Sequence, residues 1–236
     1  MKGKLYLIPA TLGDFETMDE VIPLYNKQII HSLTAFIVEN ARTARRFIKR
    51  TGHPLPIREL TFVEIGKHAS LSDALSFFKE TIQRQSVGLL SEAGTPCVAD
   101  PGSVVVKAAH ENNVEVVPLT GPNSILLALM ASGFNGQSFT FHGYLPVDKK
   151  QLAEKIRNME LKARKEGQTQ IFIETPFRNH HLFEQLLKTC RPETKMCIAV
   201  NLTMPSQKVR TLSIEEWKKQ KVDLAKKPAV FLISKD

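Results

Sequence analysis

A chain of 236 residues, 42% of them hydrophobic, can bury a core as one large domain or two small ones. Its formal charge of +8 and isoelectric point of about 9.4 favour an anionic partner, with RNA the usual one. No apolar run approaches the roughly 18 residues of a membrane span, no signal-peptide pattern opens the chain, and three cysteines without close pairing argue against a disulfide framework.

A soluble, cytoplasmic protein is expected. No CxxC occurs, no His–Cys cluster has zinc spacing, and the adjacent His180 and His181 would diverge on a helix, so no metal is expected.

Taken in order, Lys4–Ile8 is a short apolar strand and Pro23–Ser32 a helix with proline tolerated near its start. Ala35–Val38 is the next strand, followed by a basic helix, Arg42–Thr51. Leu60–Ile65 alternates like a strand. Ser70 to Asp73 resembles a capping box before a helix over Leu71–Gln85. Val87–Leu90 is a strand, Gly102–Asn112 a helix and Val114–Pro118 a strand. Such alternation predicts an α/β domain, a mainly parallel sheet with helices on both faces.

Gly121 and Pro122 then break the pattern, and the domain boundary is placed there, giving an N-terminal domain 1–119 and a C-terminal domain 120–236. Ser124–Ser132 reads as an apolar helix, Phe139–Tyr144 as a strand and Lys149–Lys165 as a charged helix. Gln170–Glu174, Lys195–Asn201, Lys208–Ser213 and Ala229–Ser234 read as strands, with one short helix over Ile214–Gln220. This run predicts an α+β domain with a mixed, largely antiparallel sheet.

The most informative segment is Ser91–Gly102, SEAGTPCVADPG, at the end of the strand Val87–Leu90. Loops at the carboxyl ends of parallel strands form the ligand crevice of open α/β sheets. Glycines and prolines fix its irregular backbone and expose N–H and C=O groups at defined positions. GxxxxGK[ST] is absent, and so is GxGxxG after the first strand, which speaks against a phosphate-binding nucleotide site.

Ser-Glu-Ala-Gly-Thr-Pro followed by Ala-Asp-Pro-Gly resembles the S-[DE]-A-G-T-P-x-x-x-D-P-G segment of the ribosomal RNA small subunit methyltransferase I family, within the tetrapyrrole methylase superfamily. Leu5–Gly13, Val117–Ser124, Phe139–Pro146 and Ile173–Arg178 resemble further segments of that family in the same order, so the resemblance spans nearly the whole chain. It implies a two-domain tetrapyrrole-methylase-like fold, a homodimer, and S-adenosylmethionine in a cleft between the domains. That cofactor carries no phosphate, which agrees with the missing glycine fingerprint.

By the resemblance, Pro9 lines the floor of the cofactor cleft, and Ala93, Gly94 and Thr95 offer backbone to the amino-acid part or ribose, with Val98 packed nearby. Asn123 and Ser124 contact the cofactor from the linker, and Glu174, Pro228 and Ala229 sit against adenine. Taken singly, Pro9, Gly94 and Gly102 read as turn residues; in this collective order they read as a site.

The segment after the second strand, Glu39-Asn40-Ala41-Arg42, resembles the family's E-D-T-R, with Glu39 and Arg42 retained. Arg42, Arg45 and Arg46 are candidates to hold phosphate, since guanidinium pairs with it bidentately. A hydroxyl acceptor needs a base or charged neighbour, for which Glu39 and Asp100 are the candidates. Two segments depart from the family. Its R-E-L-T-K reads Val200-Asn201-Leu202-Thr203-Met204, and its H-x-H-N-E reads Gly66-Lys67-His68-Ala69-Ser70, keeping only His68 as a substrate-binding candidate.

Three readings follow. The first is a methyltransferase acting on RNA, at a ribose 2′-hydroxyl of ribosomal RNA as the resemblance implies. The second is a methyltransferase of a small molecule such as a tetrapyrrole. The third is a non-catalytic RNA- or ribosome-binding relative.

Overall fold

The structure, a computed structural model, describes residues 2–13, 15–66 and 69–235, and of Phe15 the backbone alone. The chain divides into two compact units, Met1–Asn123 and Ser124–Asp236. No described helix is long and apolar enough to cross a membrane.

The first unit contains, in chain order, β1 (Leu5–Ile8), α1 (Met18–Val21), α2 (Leu24–His31), β2 (Ala35–Val38), α3 (Ala41–Arg50), β3 (Thr61–Glu64), α4 (Leu71–Thr81), β4 (Val87–Leu90), α5 (Ser103–Glu111) and β5 (Val116–Pro118). Its strands form one parallel sheet in the order β3-β2-β4-β1-β5.

All four residues of β2 are buried, as a strand covered on both faces requires. Phe36 and Val38 face a core with Ile30, Phe47 and Ile48, while Ala35 and Ile37 face one with Phe78, Val105 and Ala109. Gly88 sits where the strands are tightest: a Cβ there would lie 2.7 Å from Ile8 Cδ1 and 2.8 Å from Phe36 Cδ1.

Helix α4 stops at Thr81, short of the expected Gln85. The reason is tertiary. Gly3 donates its N–H to the Ile82 carbonyl at 2.7 Å, and Gln85 lies so close to Gly3 that no side chain would fit there.

The second unit contains α6 (Ser124–Ser132), β6 (Phe139–Tyr144), α7 (Lys149–Glu166), β7 (Thr169–Ile173), α8 (Asn179–Thr189), β8 (Lys195–Val200), β9 (Lys208–Ser213), α9 (Ile214–Trp217) and β10 (Ala229–Ser234). The sheet order is β6-β7-β10-β8-β9, with β6 parallel to β7 and every other pair antiparallel. The mixed, largely antiparallel sheet is as expected; α8 was not. It buries Leu182, Phe183 and Leu186 with Ile156 and Met159 of α7 against Phe172, Ile198 and Phe231 of the sheet. Helix α6 packs on β8, β9 and β10.

In the first unit, the chain leaving β1 runs to helices on the Phe36 face of the sheet, and the chain leaving β4 runs to α5 on the opposite face. Adjacent strands whose exits diverge open a crevice at their carboxyl ends.

Candidate functional site

The crevice is built by three loops that hold one another. Ala10 N–H, just past β1, donates to the Gly94 carbonyl at 2.9 Å, and the buried Ser91 hydroxyl donates to the same oxygen at 3.0 Å. The Asn123 amide donates to Thr95 Oγ1 at 2.6 Å. Asn26, 1% exposed in α2, donates to the Thr120 carbonyl at 2.7 Å and anchors the third loop. The sequence reading missed Asn26, which shares the buried face of α2 with Ile30; that i, i+4 spacing was the available signal.

Gly94 has φ +70°, and a Cβ there would lie 2.9 Å from Leu12 Cδ2 and 3.1 Å from the Pro122 carbonyl. The structure thus brings Pro9, Gly94, Thr95 and Asn123 together. Ala93 and Val98 lie on the exposed side of the same loop, and Ser124 opens α6 in the second unit.

Asp100 organises the rest of the loop. Its Oδ2 accepts the Cys97 N–H at 2.8 Å and its Oδ1 accepts the Gly102 N–H at 2.8 Å. The bend between them is tight, with Cys97 and Ala99 both in the left-handed region at φ 69° and 63°. Burial raises the pKa of Asp100 against the opposing pull of those two N–H groups. Burial and the neighbouring Asp100 also push the Cys97 thiol up to about 11.

Glu39, immediately past β2, is half-buried, and its Oε1 is buried with no hydrogen-bond partner. Burial first, and then the charge of Asp100, push its pKa up to about 7, against a smaller opposing pull from the Glu92 N–H. Glu39 lines a cavity of about 720 Å³ with Glu92, Ile65, Leu71, Pro101 and Val104. His68 lies outside the described residues.

Asn40 caps α3 by accepting the N–H groups of Arg42 and Thr43, at 2.9 and 3.1 Å. The family's Asp at this place would cap equally well, so the replacement leaves the helix start intact. Arg42, Arg45 and Arg46 are all exposed along α3.

In the second unit, three segments meet at one end of the sheet. Glu174 follows β7, Pro228 precedes β10 and Ala229 begins it, and Asn201 follows β8 with its N–H on the Pro228 carbonyl at 3.0 Å. Glu174 is 6% exposed; its Oε1 accepts the Thr175 N–H at 2.7 Å and its Oε2 pairs with Arg178 at 3.0 Å. The Glu-x-x-x-Arg of the motif is therefore an internal ion pair. Asn179, fully buried, donates to the Lys227 carbonyl at 2.7 Å and ties this turn to the approach to β10. The sequence reading missed it because no helix was expected there.

The altered segment 200–204 lies at the same end, folded on itself. Asn201 and Thr203 have φ 50° and 67°, and the Thr203 N–H donates to Gln207 Oε1 at 2.7 Å.

The family model for tetrapyrrole (corrin/porphyrin) methylases matches residues 19–218. A ribosomal RNA small subunit methyltransferase I of Mesorhizobium japonicum is 38% identical over 212 residues, covering 89% of this chain and 67% of the relative. The protein of that name in Vibrio cholerae is 27% identical, over 90% of this chain and 69% of the relative. With other relatives of that name the match spans less, 60% of the one in Xylella fastidiosa and 56% of the one in Bacillus subtilis. A uroporphyrin-III C-methyltransferase from Thermus thermophilus, solved with S-adenosylhomocysteine, superposes with a TM-score of 0.55 at 18% identity, covering 98% of this chain and 97% of its own. With a parallel sheet followed by a mixed one, and a family match reaching across both units, the chain belongs to the tetrapyrrole (corrin/porphyrin) methylases and is a methyltransferase by family.

Proposed function

We propose that this protein transfers the methyl group of S-adenosylmethionine to RNA, at a ribose 2′-hydroxyl. The observation that carries the reading is the junction of the loops after β1, β4 and β5 beside Glu39. The segments 9–13, 91–102 and 119–124 contain Glu92 and Asp100 but no lysine or arginine. Such a donor set suits a cationic sulfonium ligand with no phosphate. The Thr95–Asn123 pair and the backbone around Gly94 are the groups to hold it, and we place Pro9, Ala93, Val98 and Ser124 around them. In the second unit, Pro228 and Ala229 are assigned to adenine through their backbone, because the carboxylate of Glu174 is already engaged by Arg178 and Thr175.

When bound, S-adenosylmethionine supplies an electrophilic methyl group. Glu39 takes the hydroxyl proton at Oε1. A base with pKa near the working pH is the most effective proton acceptor, and Glu39 stands at about 7. Asp100 holds the loop and keeps Glu39 from ionising early. Fixing the acceptor in line with the methyl group is worth up to roughly 7–11 kcal/mol, and the cross-tied loops give that rigidity. Arg42, in the first turn of α3, is assigned to the acceptor phosphate.

The names of the relatives and the basic charge support RNA over a small acceptor. A cytoplasmic location and a homodimer belong to the same proposal, and light scattering showing only monomer at micromolar concentration would remove the second. Methyl transfer from labelled cofactor to total RNA and to a tetrapyrrole panel, side by side, tests the whole. Label in RNA is expected; label confined to a tetrapyrrole would overturn it, and cofactor binding with no transfer to either would indicate a non-catalytic relative.

A further inference from the structure

Helix α3 carries Arg42, Arg45, Arg46 and Lys49, spaced i, i+3, i+4 and i+7, so all four project from one face. All four are exposed, while Ala44, Phe47 and Ile48 fill the opposite, core-facing side. At 1.5 Å per residue the stripe is about 10 Å long. It begins next to Glu39 and runs away from it.

The far end of the stripe is concave. Arg45, Arg46 and Lys49 rim a cavity of about 540 Å³ whose floor includes Pro54, Leu55 and Pro56. None of its lining residues is acidic. The Arg45 guanidinium stands 5.4 Å from the centre of the Phe62 ring, and Phe62 in turn stacks on Phe36. That contact favours one orientation of the cation.

The floor is fixed by hydrogen bonds. Leu55 donates its N–H to His53 Nδ1 at 3.1 Å, which leaves the ring proton on Nε2 to donate to the Leu33 carbonyl at 3.0 Å. His31 Nε2 meets the Thr51 carbonyl at 2.9 Å just before the loop. A groove whose walls are held in advance costs less to order on binding.

We propose that this groove is a second contact site for the RNA acceptor, separate from the reacting nucleotide. Backbone phosphates sit on Arg45, Arg46 and Lys49, and a sugar or base covers the apolar floor at Leu55. The chemistry is that of a nucleic-acid strand: a row of anions with flat apolar groups between them. The proposal rests on the RNA reading above and adds where the strand runs after it leaves the catalytic crevice.

The test compares the wild-type protein with the double variant Arg45→Gln, Lys49→Gln, and with Arg58→Gln as an exposed basic control not lining the groove. Circular dichroism and cofactor calorimetry establish that each variant is folded and loaded. Binding of a fluorescein-labelled single-stranded RNA is then measured against salt. The double variant is expected to bind more weakly across all sequences, with the slope of log K against log salt reduced by about 0.7 for each lost contact. Its KM for RNA rises while kcat holds. A double variant whose slope and KM match the wild type overturns the inference and leaves the RNA reading standing. A wild-type protein with no salt-dependent RNA affinity overturns both.

Discussion

Pro9 and Gly121 lie against each other so closely that a Cβ on Gly121 would sit 2.3 Å from Pro9 Cγ and 2.4 Å from Pro9 Cβ. A proline ring cannot swing aside, so the contact locks the loop after β1 to the loop after β5. Gly121→Ala is expected to cost about 1–3 kcal/mol, the range for forcing a methyl group into a packed site. A urea midpoint unchanged from wild type would show that the loops are not locked.

Gly94 makes a sharper case. Its φ of +70° disfavours any side chain, by about 1–2 kcal/mol, and Leu12 and Pro122 leave no room. Gly94→Val should pull the Gly94 carbonyl away from Ala10 and Ser91 and disturb the cofactor groups at Thr95. Calorimetry should show cofactor affinity lost. Wild-type affinity in a folded variant would contradict the placement.

Asp100 should prove an architectural residue. Asp100→Ala leaves the N–H groups of Cys97 and Gly102 without acceptors, and a hydrogen bond to a charged group contributes about 1.5–3 kcal/mol. Asp100→Asn, which keeps an acceptor oxygen, should lose less. Equal denaturation midpoints for the two variants would count against this role.

The raised pKa of Glu39 makes a pH prediction. The folded state holds this proton up to about 7, whereas the unfolded chain releases it near 4.5. Between those values the folded state binds more protons, so the Glu39 contribution to stability declines as pH rises through that window and stays lower above it. Glu39→Gln should abolish that decline, seen as a smaller difference in unfolding free energy between pH 4.5 and 7.5. Methyl transfer by the wild type should rise with an apparent pKa near 7, and Glu39→Gln should lose about 100- to 10,000-fold in kcat, the usual contribution of a general base. A pH–rate profile flat from 5 to 8 would remove Glu39 from the chemistry.

Much of this fold was legible because strand and helix patterns alternate plainly through residue 118. The apolar runs Ala35–Val38 and Val87–Leu90, each followed by a turn and a helix pattern, read as buried strands of a parallel sheet. Helix α8 escaped because its N-cap is Arg178, which makes no side-chain cap, so no cap residue marks the place where the helix begins. The overlong reading of α4 has the opposite origin: its last residues favour helix locally, and only the approach of Gly3 ends it.

At the site, the loop 91–102 was legible as a ligand loop, because its glycines and prolines mark a fixed backbone. The division of labour inside it was not. Asp100 and Glu39 are both carboxylates in segments that follow parallel strands. Only the folded structure shows that one has a backbone N–H on each oxygen while the other keeps a buried oxygen unpartnered. Arg178 likewise read as a motif residue, and its use as the partner of Glu174 depends on the turn between them.

The most direct test of the account is where the methyl group goes. Wild-type protein, labelled S-adenosylmethionine and ribosomal RNA are incubated, and the RNA is hydrolysed in alkali. A 2′-O-methyl group blocks cleavage of the adjacent phosphodiester, because the neighbouring oxygen can no longer attack phosphorus. The account predicts label in alkali-resistant dinucleotides, lost in Glu39→Gln. Label recovered in mononucleotides, or none in RNA at all, would contradict it.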